Sequence, residues 1–399
     1  MRKLLLALVL LLTVSGCQTV KMNEGVTYFG DWKIPEYPRS NPNKLTLDFH
    51  LMEYLRKHNT KRRYAIRPAD DPYQFEFNIT SNQYVRDQLQ KTGLLSYLVY
   101  ENGQIVTDEL TPEDRFGDQV QNDTNLYGMS LAKSMTSYIL GHAICDGYIS
   151  SVDQTLADWP LLKDTLYADR SLRQMMKMAA GDADYAVKDG YGWKVDKYLQ
   201  NRSYYSDDIA WIAKVPLSGS KVKKGGWNYN GLNPRVVLNY IIFKLDDNFE
   251  PFLNSIFVDK IGVENEVWLT KIRGSKDESL GIAQGVFRAT RYDFLRIGRA
   301  ILNDWDNDTC VGKYLKDIYQ DRIRKTGSAR YFSRFFSFAG YAGYFHTDLF
   351  GSDQNIMGMD GYGGQSLVIN FDTKRIVYAH AIFDDYDWRK MVASEILKK

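Results

Sequence analysis

Ser130 and Lys133 are a pair of residues whose types and spacing could do chemistry. Residues three apart on a helix share a face, so the Lys133 amine can reach the Ser130 oxygen. A serine hydroxyl is a poor nucleophile at neutral pH and needs a neighbouring base. A lysine becomes such a base when burial lowers its pKa. The pair therefore predicts covalent acyl transfer.

The surrounding residues predict that this pair lies at the start of a buried helix. Residues 125–129 are predicted to form a loop, and residues 131–145 are apolar on nearly all sides, which is typical of a buried helix. Gly147 predicts the C-terminal end of that helix. The N-terminal N–H groups and the positive end of the dipole would favour negative charge developing at Ser130. The alternative interpretation is that Lys133 only extends its amine to solvent from the helix end.

The same serine–lysine spacing occurs twice more, at Ser218 with Lys221 and at Ser220 with Lys223. Both pairs lie in a Gly- and Lys-rich run without an apolar stripe, which indicates a solvated loop. We attribute these two matches to chance.

The composition predicts a globular protein with a sizeable core, since 44% of the 399 residues are hydrophobic and 25% are charged. The formal net charge of +2 gives no indication of a nucleic-acid or polyanion partner. The 28 tyrosines fit a groove that contacts sugars, aromatic groups or acyl chains, although tyrosine is also an ordinary half-buried residue. No cofactor and no metal are expected, because the histidines lack the spacing of metal ligands. They are His50, His58, His142, His346 and His380.

The N-terminus is predicted to be a targeting segment. Two basic residues precede an apolar run at residues 4–12 that is too short to span a bilayer. Residues 14–17 (VSGC) resemble a bacterial lipobox, which implies that residues 1–16 are removed and that Cys17 is lipidated. The residue after Cys17 is Gln18, not the aspartate associated with inner-membrane retention. We expect a lipid-anchored, periplasm-facing protein of the bacterial envelope, in the outer rather than the inner membrane; the alternative is an ordinary secretory signal.

Two cysteines remain after Cys17. Cys145 lies late in the predicted buried helix and is expected to be a core thiol. A bridge between Cys145 and Cys310 is possible in an oxidising compartment, but nothing in the sequence requires one.

Strand signals lie at both ends of the chain after residue 93. Residues 94–107 predict a hairpin around Asn102-Gly103, the strongest short-range hairpin signal. Residues 365–370 and 375–383 predict two further strands, and residues 387–399 a closing helix. Between them the patterns are mostly helical, so one antiparallel sheet is expected to face a helical second lobe, with the ligand site between them.

Two further segments could complete a site around the serine. Tyr229 lies in a polar, turn-rich segment and is the candidate for passing a proton to the leaving atom. Residues 361–365 (GYGGQ) precede a predicted strand, and their glycines allow the close backbone approach that an oxyanion needs. Candidates for lining the pocket, which equally fit packing roles, are Trp227, Tyr362 and Gln365. We interpret His346 as a structural rather than a catalytic histidine.

These segments, in this order, resemble the serine β-lactamase-related family of class C β-lactamases, penicillin-binding proteins, esterases and 6-aminohexanoate-dimer hydrolases. Residues 130–137 (SLAKSMTS) resemble the family's S-x-x-K-S-[FM]-T-S helix, and residues 147–153 (GYISSVD) its G-x-[IL]-x-[LV]-D step. Residues 172–181 (LRQMMKMAAG) and 285–293 (GVFRATRYD) resemble two further family motifs. The resemblance runs from about residue 94 to the C-terminus.

The resemblance implies an α+β fold of the β-lactamase/transpeptidase type. An antiparallel sheet built from both chain ends, with flanking helices, would face a mostly helical lobe at about residues 150–300. Residues 76–399 would form this serine hydrolase domain. Residues 17–75 would be the lipidated cysteine, a tether and an N-terminal extension.

The resemblance assigns Ser130 as the acylated nucleophile, Lys133 as the base and Tyr229 as the proton relay. It places the oxyanion at the N–H groups of Ser130 and Gly364, with Gly363 beside them. The expected substrate is a small ester, amide or peptide.

Two positions depart from the family pattern. The Y-x-N motif reads Tyr229-Asn230-Gly231, with asparagines only at Asn230 and Asn233, and the K-T-G or H-x-G triad reads Gly361-Tyr362-Gly363. The triad thus lacks the cation that binds a substrate carboxylate, a charge-assisted hydrogen bond of about 1.5–3 kcal/mol. This favours an esterase or amidase whose substrate lacks that carboxylate or binds it elsewhere; a D,D-peptidase or β-lactamase-type enzyme is the alternative.

Two rival interpretations remain. Residues 128–132 nearly match the G-x-S-x-G elbow of α/β-hydrolases, with His346 or His380 as the triad base, but that fold needs a parallel sheet. A catalytically silent protein that binds cell-wall peptides would also tolerate the missing cation.

Overall fold

The computed structural model describes residues 63–163, 165–182, 226–271, 283–325, 334 and 337–399, together with residues 20–21 and 27–28. The tether, the helix expected at residues 47–57 and the additional serine–lysine pairs at 218–223 lie outside the described residues. The short strands β1 (Val20–Lys21) and β2 (Thr27–Tyr28) pair with each other.

A nine-stranded sheet is built from both ends of the described chain. Its order is β10-β11-β12-β13-β14-β15-β5-β6-β4, antiparallel except for the β4–β6 pair. The N-terminal hairpin joins the C-terminal strands where β15 pairs with β5. The strands are β4 (Glu76–Phe77), β5 (Leu94–Glu101), β6 (Gln104–Leu110), β10 (Ile323–Arg324), β11 (Phe338–Ala342), β12 (Phe345–Leu349), β13 (Ile356–Gly361), β14 (Gln365–Asn370) and β15 (Arg375–Ala381).

This sheet confirms the expected α+β fold with both chain ends in one antiparallel sheet. The hairpin turn has Asn102 at φ 50° and Gly103 at φ 88°, the left-handed conformations that an Asn-Gly turn needs. Such a sheet contradicts the α/β-hydrolase alternative, which required parallel strands.

A second, four-stranded sheet lies beside the first, in the order β3-β8-β9-β7. Its strands are β3 (Arg63–Ile66), β7 (Leu126–Tyr127), β8 (Val267–Lys271) and β9 (Ala283–Ala289). No sequence pattern predicted this sheet, and β8 and β9 fall within the region expected to be mostly helical. Leu269 and Phe287 pair across β8 and β9 and are buried in the main core.

The helices cover both faces of the large sheet. They are α1 (Gln83–Lys91), α2 (Glu113–Phe116), α3 (Leu131–Cys145), α4 (Leu172–Met176), α5 (Leu232–Leu245), α6 (Phe249–Asn254), α7 (Arg291–Asp306), α8 (Cys310–Gln320) and α9 (Ser394–Ile396). Single 3₁₀ turns occupy Gly117–Gln119, Pro160–Leu162 and Asp246–Asn248, and π-helical turns occupy Ser255–Ile261 and Arg389–Ala393. Helix α3 is buried along almost its whole length, as its all-round apolar sequence predicts. No helix in the described ranges is long and apolar enough to cross a bilayer.

A disulfide joins Cys145 at the end of α3 to Cys310 at the start of α8. The expectation that Cys145 is a free core thiol is therefore wrong. The bond closes a loop of 165 residues that begins at the end of the helix that carries Ser130, and such bonds persist in oxidising compartments.

We predict that removing this disulfide destabilises the protein. Cross-linking over a long loop lowers the entropy of the unfolded chain, so Cys145→Ser with Cys310→Ser should lower the free energy of unfolding by about 2–5 kcal/mol. Urea unfolding with and without reductant measures the loss. Reductant should destabilise the wild type and leave the double variant unchanged; equal midpoints for both proteins would contradict the prediction.

Candidate active site

Ser130 stands at a sharp turn between β7 and α3. The preceding residue, Met129, has φ 48°, a left-handed conformation that costs a non-glycine residue about 1–3 kcal/mol. The turn is fixed to the four-stranded sheet, because the Gly128 N–H donates to the Phe287 carbonyl on β9 at 2.8 Å. Among the described residues the Ser130 N–H donates to no acceptor. This turn presents both the hydroxyl and the N–H of Ser130 at the head of a buried helix.

Lys133 lies one helical turn after Ser130 and donates a hydrogen bond from Nζ to Ser130 Oγ at 2.8 Å. Burial lowers the pKa of Lys133 to about 7, and the positive charge of Arg235 lowers it further, while Asp360 opposes the change. The uncharged form of Lys133 is therefore populated near neutral pH. An uncharged amine beside a hydroxyl is able to accept its proton.

Tyr229 lies on the other side of Lys133. The ring centroid of Tyr229 is 5.0 Å from Lys133 Nζ, so the structure brings the three residues singled out from the sequence together. The Tyr229 ring also packs edge-on against Tyr341, with centroids 6.1 Å apart, and lies 6.4 Å from the ring of His346. Trp227 is buried beside it, with centroids 6.1 Å apart.

A buried polar network holds the segment that carries Tyr229. Asp182, which is fully buried, accepts hydrogen bonds from Tyr167 Oη at 2.9 Å and from Asn233 Nδ2 at 2.7 Å. The Asn230 side-chain oxygen accepts the N–H groups of Leu232 and Asn233, both at 2.9 Å, and so caps the start of α5. The Asn230 amide thus faces the helix start. Burial raises the pKa of Asp182, and its hydrogen bonds act in the opposite direction.

The glycine turn between β13 and β14 lies against the nucleophile loop. A Cβ at Gly361 would be 2.7 Å from the carbonyl oxygen of Gly128, so only glycine fits there. Gly363 and Gly364 have φ 89° and φ 107°, which favour glycine as well. The Gly364 N–H, assigned to the oxyanion from the sequence, donates to Gly361 O at 3.2 Å.

The two side chains of this turn differ in their surroundings. Tyr362 is 56% exposed. Gln365 is buried and donates from Nε2 to Ala381 O at 2.7 Å, so it links β14 to β15.

Arg334 holds the glycine turn in place, and no sequence pattern predicted this role. Its Nη2 donates to Gly361 O at 2.9 Å, Nε lies 2.6 Å from Asp360 Oδ1, and Nη1 donates to Asp384 Oδ1 at 3.0 Å. Tyr386 Oη donates to Gly364 O at 2.8 Å. The Gly361 and Gly364 carbonyls thus both accept hydrogen bonds from side chains, which restrains the peptide groups between them. No motif marks Arg334, because its partners are 26 to 50 residues away in sequence.

A second amine with a lowered pKa, Lys325, lies beside His346, whose ring is 6.4 Å from that of Tyr229. Lys325 Nζ is 2.6 Å from His346 Nδ1, and the pKa of His346 lies well below its usual value because of burial and of nearby cations including Lys325. Burial also lowers the pKa of Lys325 to about 7, with Asp360 opposing. A neutral imidazole with structural partners agrees with the interpretation of His346 as a structural residue. Lys325 carried no sequence signal. Within the described ranges, no three His, Cys, Asp or Glu residues cluster as metal ligands.

Comparison with known proteins supports the predicted lipid anchor and, separately, the fold. Residues 1–18 match the model of the prokaryotic membrane lipoprotein lipid attachment site, which supports a lipid-anchored protein of the bacterial envelope. No curated protein matches the chain in sequence.

Solved structures share the fold across most of the chain. A protein of Bacillus anthracis described as a 6-aminohexanoate-dimer hydrolase matches with a TM-score of 0.62 and 16% identity, over 87% of this chain and 94% of its own. A D-stereospecific amidohydrolase from a Streptomyces species has a TM-score of 0.54 and 12% identity, over 79% and 97%. A class C β-lactamase from Rhodobacter sphaeroides has a TM-score of 0.50 and 12% identity, over 76% and 93%. The chain therefore has the fold of the serine β-lactamase-related proteins, as its motifs implied.

We predict that Arg334 is a major determinant of stability at this site. Replacing it with methionine would leave Asp360 and Asp384 close together without their shared cation, which should cost about 3–5 kcal/mol of unfolding free energy. The matched control is Arg322→Met, which removes an exposed ion pair with Asp348 and should cost less than about 1 kcal/mol. Urea unfolding of the two variants checks this; similar losses in both would refute it.

Proposed function

We propose that this protein is a serine hydrolase that cleaves an ester or amide through an acyl-enzyme on Ser130. The observation that carries the proposal is the 2.8 Å hydrogen bond between Lys133 Nζ and Ser130 Oγ. It joins a nucleophile to an amine whose pKa is lowered to about 7. A surface lysine with an ordinary pKa would be protonated at neutral pH and unable to act as a base.

In the acylation step, Ser130 Oγ attacks the substrate carbonyl carbon and Lys133 Nζ accepts the hydroxyl proton. The carbonyl π-bond opens to give a tetrahedral oxyanion. When this intermediate collapses, the bond to the leaving nitrogen or oxygen breaks. Tyr229 delivers a proton to that leaving atom and is reprotonated from Lys133, which returns the amine to its neutral form.

In the deacylation step, a water molecule attacks the acyl-enzyme and gives its proton to the same base. The second tetrahedral intermediate releases the carboxylic acid, and the proton returns to Ser130 Oγ. Two easier steps thus replace one difficult displacement.

The oxyanion is proposed to lie between the Ser130 N–H and the glycine turn. The Ser130 N–H at the head of α3 supplies one donor. Gly364 supplies the second, exchanging its hydrogen bond to Gly361 O for the substrate oxygen. Arg334 makes this exchange possible, because it continues to satisfy Gly361 O.

Charge near the glycine turn favours substrates without a carboxylate at this point. The cation that contacts the turn, Arg334, is already shared by Asp360 and Asp384. A penicillin or peptide carboxylate placed there would meet two carboxylates for one guanidinium. We therefore favour a neutral ester or amide over a β-lactam or a cell-wall peptide, with Trp227, Tyr362 and Gln365 proposed as pocket residues.

The proposed location is the outer membrane, facing the periplasm. The lipid attachment match covers Cys17, and Gln18 rather than aspartate follows it. An anchor at this position would leave the catalytic domain at the membrane surface.

We predict that Ser130→Ala abolishes both turnover and covalent labelling. A fluorophosphonate should add to Ser130 in the wild type, as located by peptide mass spectrometry. Lys133→Ala should lower kcat/KM for p-nitrophenyl esters by at least about 10³-fold, since base catalysis contributes about 10²–10⁴-fold and the serine also loses its activated state.

Ser137→Ala is the matched control, because Ser137 lies on the same helix but bonds Tyr314; its labelling should persist. Labelling that survives in Ser130→Ala would refute the nucleophile. An inactive wild type that still binds muropeptides would favour the silent binding protein. Comparing p-nitrophenyl esters, aminohexanoate dimers, nitrocefin and muropeptides ranks the substrates.

We predict that the charge of Arg235, together with the larger effect of burial, determines the position of the acidic limb of the pH profile. Arg235 lowers the pKa of Lys133, so Arg235→Gln should raise that pKa. Because only the uncharged amine accepts a proton, the acidic limb of kcat/KM should move to higher pH while the alkaline plateau stays. Arg235→Lys keeps the charge and should retain the wild-type limb. If the acidic limb moves equally in Arg235→Gln and Arg235→Lys, the electrostatic role of Arg235 is contradicted.

A further inference from the structure

A row of aromatic and cationic side chains lies on one face of the four-stranded sheet, beside the strand that leads to Ser130. Tyr127, Arg288 and Trp268 are cross-strand neighbours on β7, β9 and β8, so their side chains share a face. Arg63 on β3 places its guanidinium 4.1 Å from the centroid of the Trp268 ring. The opposite face of the sheet packs into the core.

Arg288 is held between two aromatic rings. Its guanidinium carbon lies 4.4 Å from the centroid of Tyr127 and 4.9 Å from that of Trp268. The residue is only 4% exposed. At the edge of the guanidinium, Nη2 donates to Asn125 O at 2.6 Å.

The rest of that edge has no acceptor. Arg288 Nε and Nη1 are buried and make no hydrogen bond in the described part of the chain, and the same is true of Trp268 Nε1. Asn125 Oδ1 beside them is a buried acceptor without a donor. Buried polar atoms nearly always have a partner, and an unmatched charged donor is especially costly. These unmatched groups are the hydrogen-bonding atoms that a ligand or bound solvent could use.

The charge balance favours an anion. Arg63 pairs with Glu266 at 2.7 Å. Among the described residues, no carboxylate lies within 4.0 Å of the Arg288 guanidinium. Burial and the neighbouring charge of Arg63 lower the pKa of Arg288, which is the direction expected of a guanidinium that has no counter-ion.

We propose that Arg288 and Trp268 form a binding site for the carboxylate or phosphate group of a small molecule, separate from the Ser130 site. Two oxygens of the group accept from Arg288 Nε and Nη1, which is the paired geometry that a guanidinium offers to planar or tetrahedral oxyanions. The indole N–H of Trp268 adds a third donor. Asn125 Oδ1 accepts from a hydroxyl of the ligand or from a water molecule bound with it.

A ligand bound at this site would restrain the segment of chain that precedes Ser130. Arg288 donates a hydrogen bond to the carbonyl of Asn125. The ring of Tyr127, two residues further along the chain, lies against the Arg288 guanidinium. Phe287, adjacent to Arg288, accepts the N–H of Gly128 at 2.8 Å. An anion that fixes Arg288 therefore fixes the chain up to the turn before Ser130. The inference concerns binding and does not depend on the proposed hydrolase activity.

The test is the thermal stability of the full-length protein in detergent, with sodium phosphate or sodium acetate compared with sodium chloride at equal ionic strength. A ligand that binds only the folded state raises Tm. We expect a saturable rise of roughly 1–2 °C at about ten times Kd, because the unfolding entropy of a chain of this length is large. A response to acetate alone identifies a carboxylate site, and a response to phosphate alone a phosphate site.

The matched variants are Arg288→Met and Arg322→Met. Arg322 also lies over a tyrosine ring, at 4.5 Å from Tyr319, but it has a carboxylate partner. The rise in Tm should vanish in Arg288→Met and persist in Arg322→Met. No rise in the wild type, or an equal rise in Arg288→Met, would overturn the site and leave bound solvent as the partner.

A second variant keeps the test decisive if Arg288→Met fails to fold. Trp268→Phe removes the indole N–H but retains an aromatic ring beneath both arginines. Loss of one hydrogen bond to an anion should raise the apparent Kd by about 10-fold. An unchanged Kd in Trp268→Phe would overturn the proposed donor set.

Discussion

The site depends on an amine that is hydrogen-bonded to a hydroxyl and whose pKa is lowered by burial to about 7. Burial of an ammonium group without a counter-ion is unfavourable, so the amine is driven toward its neutral form. Lys133 meets this condition because α3 is apolar on nearly every side and lies between the sheet and α5. A helix with an exposed face would leave the same tetrapeptide with an ordinary, protonated lysine. The burial of α3 is thus a requirement of the chemistry as well as of the fold.

The surrounding parts are positioned through their backbones. The turn before Ser130 is held by a hydrogen bond to β9, and the glycine turn by Arg334 and Tyr386. The Tyr229 segment is held through Asn230 and the buried Asp182. In each case the anchoring groups bind the chain beside the proposed reactive group rather than the group itself. The backbone that carries the proposed reactive groups is therefore fixed in place, which is what a preorganised site needs.

Sequence patterns within a few residues predicted the structure well, whereas contacts between distant parts of the chain could not be predicted. The spacing of Ser130 and Lys133, the Asn-Gly hairpin and the glycine turn each lie within a few residues, and the sheet from both chain ends followed from them. Arg334 and Lys325 could not be found this way, because their partners come from other strands. The four-stranded sheet was missed for the same reason: β3 and β8 are about 200 residues apart, and β7 has only two residues. The assigned roles of Tyr229, Gly364 and the pocket residues remain predictions.

The pKa of Lys133 combines effects from separate parts of the chain. Arg235 on α5 lowers it, while Asp360 on β13 raises it, and burial by the helix packing is the largest effect. Asp360 is at the same time the partner of Arg334, which clamps the glycine turn. Movement of β13 away from α3 would therefore change the charge of the base and the geometry of the turn together. A base tuned in this way reaches its working pKa only when the sheet and the helices are fully assembled, so the partly folded chain is not expected to carry an activated serine.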